Sequence, residues 1–136
     1  LITPNEREAR FALGDQDSVV RPLAEKLYRK AGCRNLILKM GERGLLAYRR
    51  RDSISDLRSF FAVDSFATRV VDPVGAGDAL LAYATLAHLA SDHPVTASVL
   101  GALAAAVLCE HDGNVPVYQD DVLDKLAAIE RAAVYA

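Results

Sequence analysis

The run Val71-Asp72-Pro73-Val74-Gly75-Ala76-Gly77-Asp78-Ala79 constrains this chain more than any other stretch. It reads as the end of a strand, a glycine turn and the start of a helix. Gly75-Ala76-Gly77 allows a tight backbone approach, and Ala79-Leu80-Leu81-Ala82 continues at once as helix. Several unpaired N–H groups and the positive end of a helix then converge on one point, and such a point attracts anions. Asp78 stands beside it. A carboxylate held where negative charge is already welcome has a natural role in taking up a proton. A plain strand-to-helix turn is the competing reading.

Composition narrows the setting for that turn. With 136 residues, 51% hydrophobic and 25% charged, the chain has the make-up of one globular domain with a core of its own. Its formal net charge of -2 gives no electrostatic case for nucleic acid. Arg49-Arg50-Arg51 is the one basic run, and the acids Asp52 and Asp56 that follow it favour a solvated turn over a phosphate patch. Cys33 and Cys109 form no CxxC pair or Cys/His cluster, so reduced thiols in a cytoplasmic setting are expected. No run of about 18 apolar residues free of polar interruption occurs, so no membrane span is expected. The chain opens Leu1-Ile2-Thr3-Pro4 without a methionine, and these first residues look like the end of a buried strand from which something upstream has been lost.

Along the chain, Thr3-Pro4-Asn5-Glu6 predicts a helix from Pro4 to about Leu13, capped by Thr3 and ended by Gly14. A second helix is expected after a cap at Asp17 or Ser18, with Val19, Val20, Leu23, Leu27 and Ala31 at helical spacing and Gly32 at its end. Asn35 to Met40 reads as a buried parallel strand, Gly41 to Gly44 as a turn, and Leu45 to Tyr48 as the other arm of a hairpin. Phe60, Phe61, Val63 and Phe66 imply one or two further strands. Three helices follow, at about Gly77 to Ala90, Thr96 to Glu110 and Asp120 to Ala133. Small residues crowd the middle one and permit close packing. This order predicts an α/β fold in a single domain over residues 1–136.

The glycine turn fails the two better-known phosphate motifs. No Lys follows Gly77 as a Walker loop requires, and Leu80 stands where a dinucleotide fingerprint needs its third glycine. What remains is GxGD at a helix start. In that form the segment Asp72-Pro73-Val74-Gly75-Ala76-Gly77-Asp78 resembles the Asp-Thr-x-Gly-Ala-Gly-Asp signature of the ribokinase-like, PfkB-type carbohydrate kinases, with Pro73 in place of Thr. Tyr83 is a second departure, where the family usually has a small residue. An Asn-x-x-Glu element of the family also has a counterpart in Asn5-Glu6-Arg7-Glu8.

The resemblance implies a Rossmann-like, three-layer α/β/α fold, of which this chain is the C-terminal, nucleotide-binding part, with the N-terminal sugar-binding and lid part absent. It implies that Asp78 is the base that activates a sugar hydroxyl toward ATP, and that the N–H groups of Gly75, Ala76 and Gly77 stabilise the transferred phosphoryl group. Asn5 and Glu8, three apart on a helix, would serve Mg2+. Lys39, Gly41, Gly113 and Asn114 would contact the nucleotide, and Asp72 would belong to a monovalent cation site such as K+. On the residues alone, Asn5 and Glu8 also read as an ordinary polar first turn, and Lys39 as a hairpin edge. The order of features looks most like kinases acting on heptose phosphate, with ribose or fructose phosphate also open. Nucleotide and a small sugar are the implied partners, and a homodimer is compatible with the resemblance. An inactive nucleotide-binding fragment and a non-catalytic interaction domain are the alternatives. His88, His93 and His111 read as surface or helix-end residues, and Cys109 as core.

Overall fold

Alternation along three short strands divides the side chains of one small sheet between two cores. In this computed structural model, which describes residues 1–49 and 57–134, the strands are β1 (Ile37–Lys39), β2 (Leu45–Tyr48) and β3 (Phe60–Val63). They pair antiparallel in the order β1-β2-β3, with Ile37 opposite Ala47 and Ala47 opposite Phe61. Leu36, Leu38, Tyr48 and Phe60 point to one face and pack on Ala9, Leu23, Ala24 and Leu27. These come from α1 (Glu6–Leu13) and α2 (Val20–Ala31). Ile37, Leu45 and Ala47 point the other way, onto Leu80, Ala84, Ala97 and Ala102. These belong to α3 (Ala76–Ser91) and α4 (Pro94–Cys109). The result is the expected three-layer α/β/α arrangement, with α5 (Gln119–Val134) packed on α4 through Val122.

The expectation that Asn35 to Met40 forms a parallel strand holds on one side only. The opening segment bridges it in parallel at Ile2–Leu36 and Asn5–Lys39, with the Lys39 N–H donating to the Pro4 carbonyl at 2.8 Å. On its other side the tight 3-10 turn Gly41–Arg43 folds the chain straight back, which makes the β2 pairing antiparallel. The same bridging corrects the start of α1. Because the Pro4 carbonyl is used by the sheet, the helix begins at Glu6 with Asn5, not Thr3, as its cap. Asn5 Oδ1 accepts from the Glu8 N–H at 2.8 Å and Glu8 Oε2 accepts from the Asn5 N–H at 2.7 Å, a reciprocal capping box.

The second helix also starts differently from expectation. Val19 is its cap and makes no side-chain cap bond. Asp15 instead organises the preceding turn, accepting from the Ser18 N–H and hydroxyl and from Lys26 Nζ. Both helices end at the anticipated glycines, Gly14 and Gly32, in left-handed conformation. α4 begins at Pro94 rather than Thr96 because His93 caps it, its Nδ1 accepting from the Thr96 N–H. His88 meets Asn35, and His111 meets the Val107 carbonyl, both near helix ends as read. Apart from Arg49, whose guanidinium lies 5.2 Å from the Phe61 ring centre, the basic run and its acids lie outside the described residues.

Small residues bring α3 and α4 close together. A Cβ added at Gly101 would lie 2.9 Å from the Leu80 carbonyl oxygen and 3.1 Å from the Ala84 Cβ. Backbone cannot retreat as a flexible side chain can, so overpacking here forces the helices apart. Gly101→Val should lower stability by about 1–3 kcal/mol, read as the urea midpoint.

Among the described residues, three carboxylates are held below their ordinary range. Lys26 and then Ser18 do this for Asp15, and Arg10 chiefly for Glu6. At Glu110 burial pushes upward but is outweighed by bonds from Lys125 and Thr68. A pKa lowered by folding means that the unfolded chain binds more protons, so this stability is present above the ordinary carboxylate range and lost as pH falls through the lowered values. The melting temperature should fall steadily below about pH 5, and Asp15→Asn should flatten that slope.

Candidate active site

The glycine turn forms where the chain arriving at α3 is tied to the end of α4. The Cys109 carbonyl accepts from the N–H groups of Val71 (2.7 Å) and Asp72 (3.2 Å), and Asp72 Oδ1 accepts from the Val74 N–H at 2.9 Å. Gly75 then caps α3 with φ of 84°, a left-handed conformation in which glycine is unstrained. Its carbonyl accepts from the Asp78 and Ala79 N–H groups, while the Ala76 N–H turns back to the Pro73 carbonyl at 3.2 Å. Of the three N–H groups expected to face an anion, Ala76 is therefore partly engaged. Those of Gly75 and Gly77 have no partner among the described residues.

Lys39 reaches this turn from the end of β1. A Cβ added at Gly77 would lie 2.8 Å from Lys39 Nζ, so glycine is what lets the ammonium sit against the first turn of α3. A cation parked at the positive end of a sixteen-residue helix is unfavourable until an anion joins them. The two features therefore define a place for one. Asn114 borders the same turn, since a Cβ on Gly75 would collide with its Oδ1.

A cavity of about 350 Å³ opens from this polar end. Lys39, Gly41, Ala76 and Gly77 line it there, and Leu45, Val70, Leu80, Ala102 and Ala106 form an apolar body. Its size and its few convergent polar groups are those of a small-molecule site. Glu42, Asp64, Ser65 and Val70 also line it and were not expected from sequence. The turn residue Glu42 was within reach of the Gly41 reading, but the 64–70 wall is brought in only by the fold. Cys109 borders the cavity too, and burial pushes its thiol pKa up, with Glu110 and Asp72 adding to this, so the thiol stays protonated.

The remaining expected residues are spread more widely. Asp78 is exposed in the first turn of α3 and does not line the cavity. Asn5 and Glu8 lie in a separate groove with Arg7, Arg10 and Phe11, at the sheet edge where Asn5 bridges Lys39. Asp72 is half-buried at the end of α4, apart from that groove. Among the described residues no group of three or more His, Cys, Asp or Glu could hold a metal ion. Gly113 has φ of 77° with open space around it. Tyr83 is absorbed by packing, its hydroxyl donating to the Val117 carbonyl at 3.0 Å. Both cysteines are free, and among the described residues no helix is long and apolar enough to cross a membrane.

This architecture is shared with solved ribokinase-like proteins. The chain is similar to a ribokinase from Thermotoga maritima (26% identity, TM-score 0.76), covering 92% of this chain and 41% of that one. A phosphofructokinase-2 from Escherichia coli, solved with potassium, aligns at 20% identity and TM-score 0.76 over 94% of this chain and 40% of its own. A ribokinase from Arabidopsis thaliana, solved with ribose and ATP, aligns at 22% identity and TM-score 0.74 over 91% and 39%. The chain thus spans about 40% of the length of the solved relatives it matches. No curated protein matches it. The fold is ribokinase-like, and the pfkB family carbohydrate kinase profile matches residues 1–119. The chain belongs to the pfkB family of carbohydrate kinases.

Gly75→Ala would force a side chain into a left-handed position already crowded by Asn114. It should cost more than about 1 kcal/mol, read by denaturant titration.

Proposed function

We propose that this chain is the C-terminal, nucleotide-binding part of a kinase that transfers the γ-phosphoryl group of ATP to a hydroxyl of a sugar or sugar phosphate. The order of its sequence features favours a heptose phosphate within that class. One observation carries the reading: Lys39 and the start of α3 converge on the polar end of an apolar cavity. The apolar body suits a nucleobase and the polar end suits phosphates, which is the division ATP needs.

The roles follow from that fit. Lys39 and the free N–H groups of Gly75 and Gly77 would hold phosphate oxygens and stabilise charge as transfer proceeds, with Gly41 and Asn114 beside them and Gly113 leading into the Asn114 loop. Phosphoryl transfer asks a protein mainly for positioning and charge stabilisation, and a preorganised donor is typically worth about 3 kcal/mol. Asp78, exposed where an acceptor can approach, would take the hydroxyl proton as that oxygen bonds to the γ-phosphorus and the bond to the departing ADP breaks. Asn5 and Glu8 would serve Mg2+ through retained waters, since Asn5 Oδ1, its only side-chain oxygen, and Glu8 Oε2 are engaged in the capping box. Bound there, the ion supplies charge that offsets the phosphates. Asp72 keeps a carboxylate oxygen for a monovalent cation such as K+. A cytoplasmic protein with reduced thiols, and a homodimer, belong to the same proposal.

A second reading, a fragment that binds nucleotide without turnover, is favoured by the share of the solved relatives that the chain spans. ATP should raise the melting temperature of the chain by mass action, and Gly77→Val, which displaces the Lys39 ammonium, should abolish that rise. No rise at millimolar ATP would favour a non-catalytic interaction domain. In a polypeptide spanning the family's full length, Asp78→Asn should lower kcat by about 100- to 10,000-fold with the KM for ATP little changed. A near-normal kcat would remove Asp78 from the role of base.

A further inference from the structure

One wall of the cavity is a strap without regular structure. Ala67, Val70 and Pro73 line the cavity along it, and its far end runs directly into the glycine turn. It is fastened at two neighbouring places on the end of α4. The Cys109 carbonyl takes the Val71 and Asp72 N–H groups. Glu110, the next residue, takes Thr68: its Oε1 accepts from the Thr68 N–H at 2.7 Å and from the Thr68 hydroxyl at 2.9 Å. The same oxygen accepts from Lys125 Nζ of α5 at 2.5 Å.

Three donors on one carboxylate oxygen make an unusually committed fastening. The side chains of Glu110 and Lys125 are only 19% and 12% exposed, so the pair is largely withdrawn from water. Hydrogen bonds to a charged acceptor are shorter and stronger than neutral ones, and they weaken sharply if misaligned. Withdrawing an ion pair from water returns little net stability unless such bonds complete it, as the two from Thr68 do here. The fastening also supplies a fixed position for Thr68, four residues before Asp72.

We infer that Glu110 is a positioning residue for the nucleotide cavity, fixing the Thr68–Asp72 strap, and through it the glycine turn, from a charge anchored by Lys125. This rests on the proposed reading of the cavity as an ATP site. Glu110 touches no reacting group. It acts by keeping the wall against the ligand and the turn in its aim, so its loss should be felt in nucleotide affinity and in strap order.

Amide exchange and ATP titration of the chain test this together. Glu110→Ala should speed exchange of the Val71 and Asp72 amides by about tenfold or more, beyond any change at the core amides of Leu38 and Leu103, and raise the Kd for ATP by about tenfold. Glu110→Gln, which keeps an acceptor oxygen for Thr68 but loses the charge that Lys125 anchors, should recover only part of both. If Glu110→Ala does not fold, Thr68→Val, which removes only the hydroxyl bond, carries the comparison. Unchanged exchange at Val71 and Asp72, or faster exchange with an unchanged Kd, would overturn the inference. Absence of ATP binding by the unsubstituted chain would overturn the nucleotide reading and the ligand half of the inference with it, while exchange would still decide whether Glu110 holds the strap.

Discussion

The close approach of α3 and α4 at Gly101 is the contact on which the rest of the molecule depends. It sets how α3 lies against α4, and so where the glycine turn points. It also turns the small-residue face of α4 into the floor of the cavity, with Ala102 and Ala106 in its lining. The Cys109 carbonyl then ties the incoming chain to the same helix pair. A larger side chain at Gly101 would disturb packing, cavity and turn at once, because all three share one pair of helices. Close-packed interiors transmit such strain.

Much of this was legible in the sequence, for identifiable reasons. The C-terminal glycines of α1 and α2, the hairpin at Gly41, and the three late helices all rest on local chemistry, which short stretches of sequence carry in full. The glycine turn was legible for the same reason, since a left-handed Gly75 followed by a helix is a local event. The starts of α2 and α4 differ for local reasons, the Asp15 turn and the His93 cap, and the other differences are long-range. Thr3 loses its place as cap because the Pro4 carbonyl is claimed by Lys39, far along the chain. The mixed pairing of β1 is set by which segment lies on each side, and its own residues do not encode that.

The site divides along the same line. Lys39 could be picked out as a candidate, but its approach to Gly77 joins residues on different layers of the fold and leaves no trace in spacing. Part of the small-residue stripe of α4 is packing surface and part is cavity wall. Asn5 and Glu8 were read as a pair, and they are one, but first of all as the cap of α1. Local patterns name the participants in this chain, while their meeting points come from tertiary pairing.

The facing of Lys39 and the start of α3 has an implication for the empty protein. Most natural contacts are mutually supportive, and a site where they are not is locally frustrated. Here the frustration is electrostatic, and it sits in an otherwise consistent fold. Natural proteins accept such spots at working sites and offset them with stability gained elsewhere. The apo state is therefore the tense one. An anion bound between Lys39 and the start of α3 would be attracted by both without the site having to be reshaped.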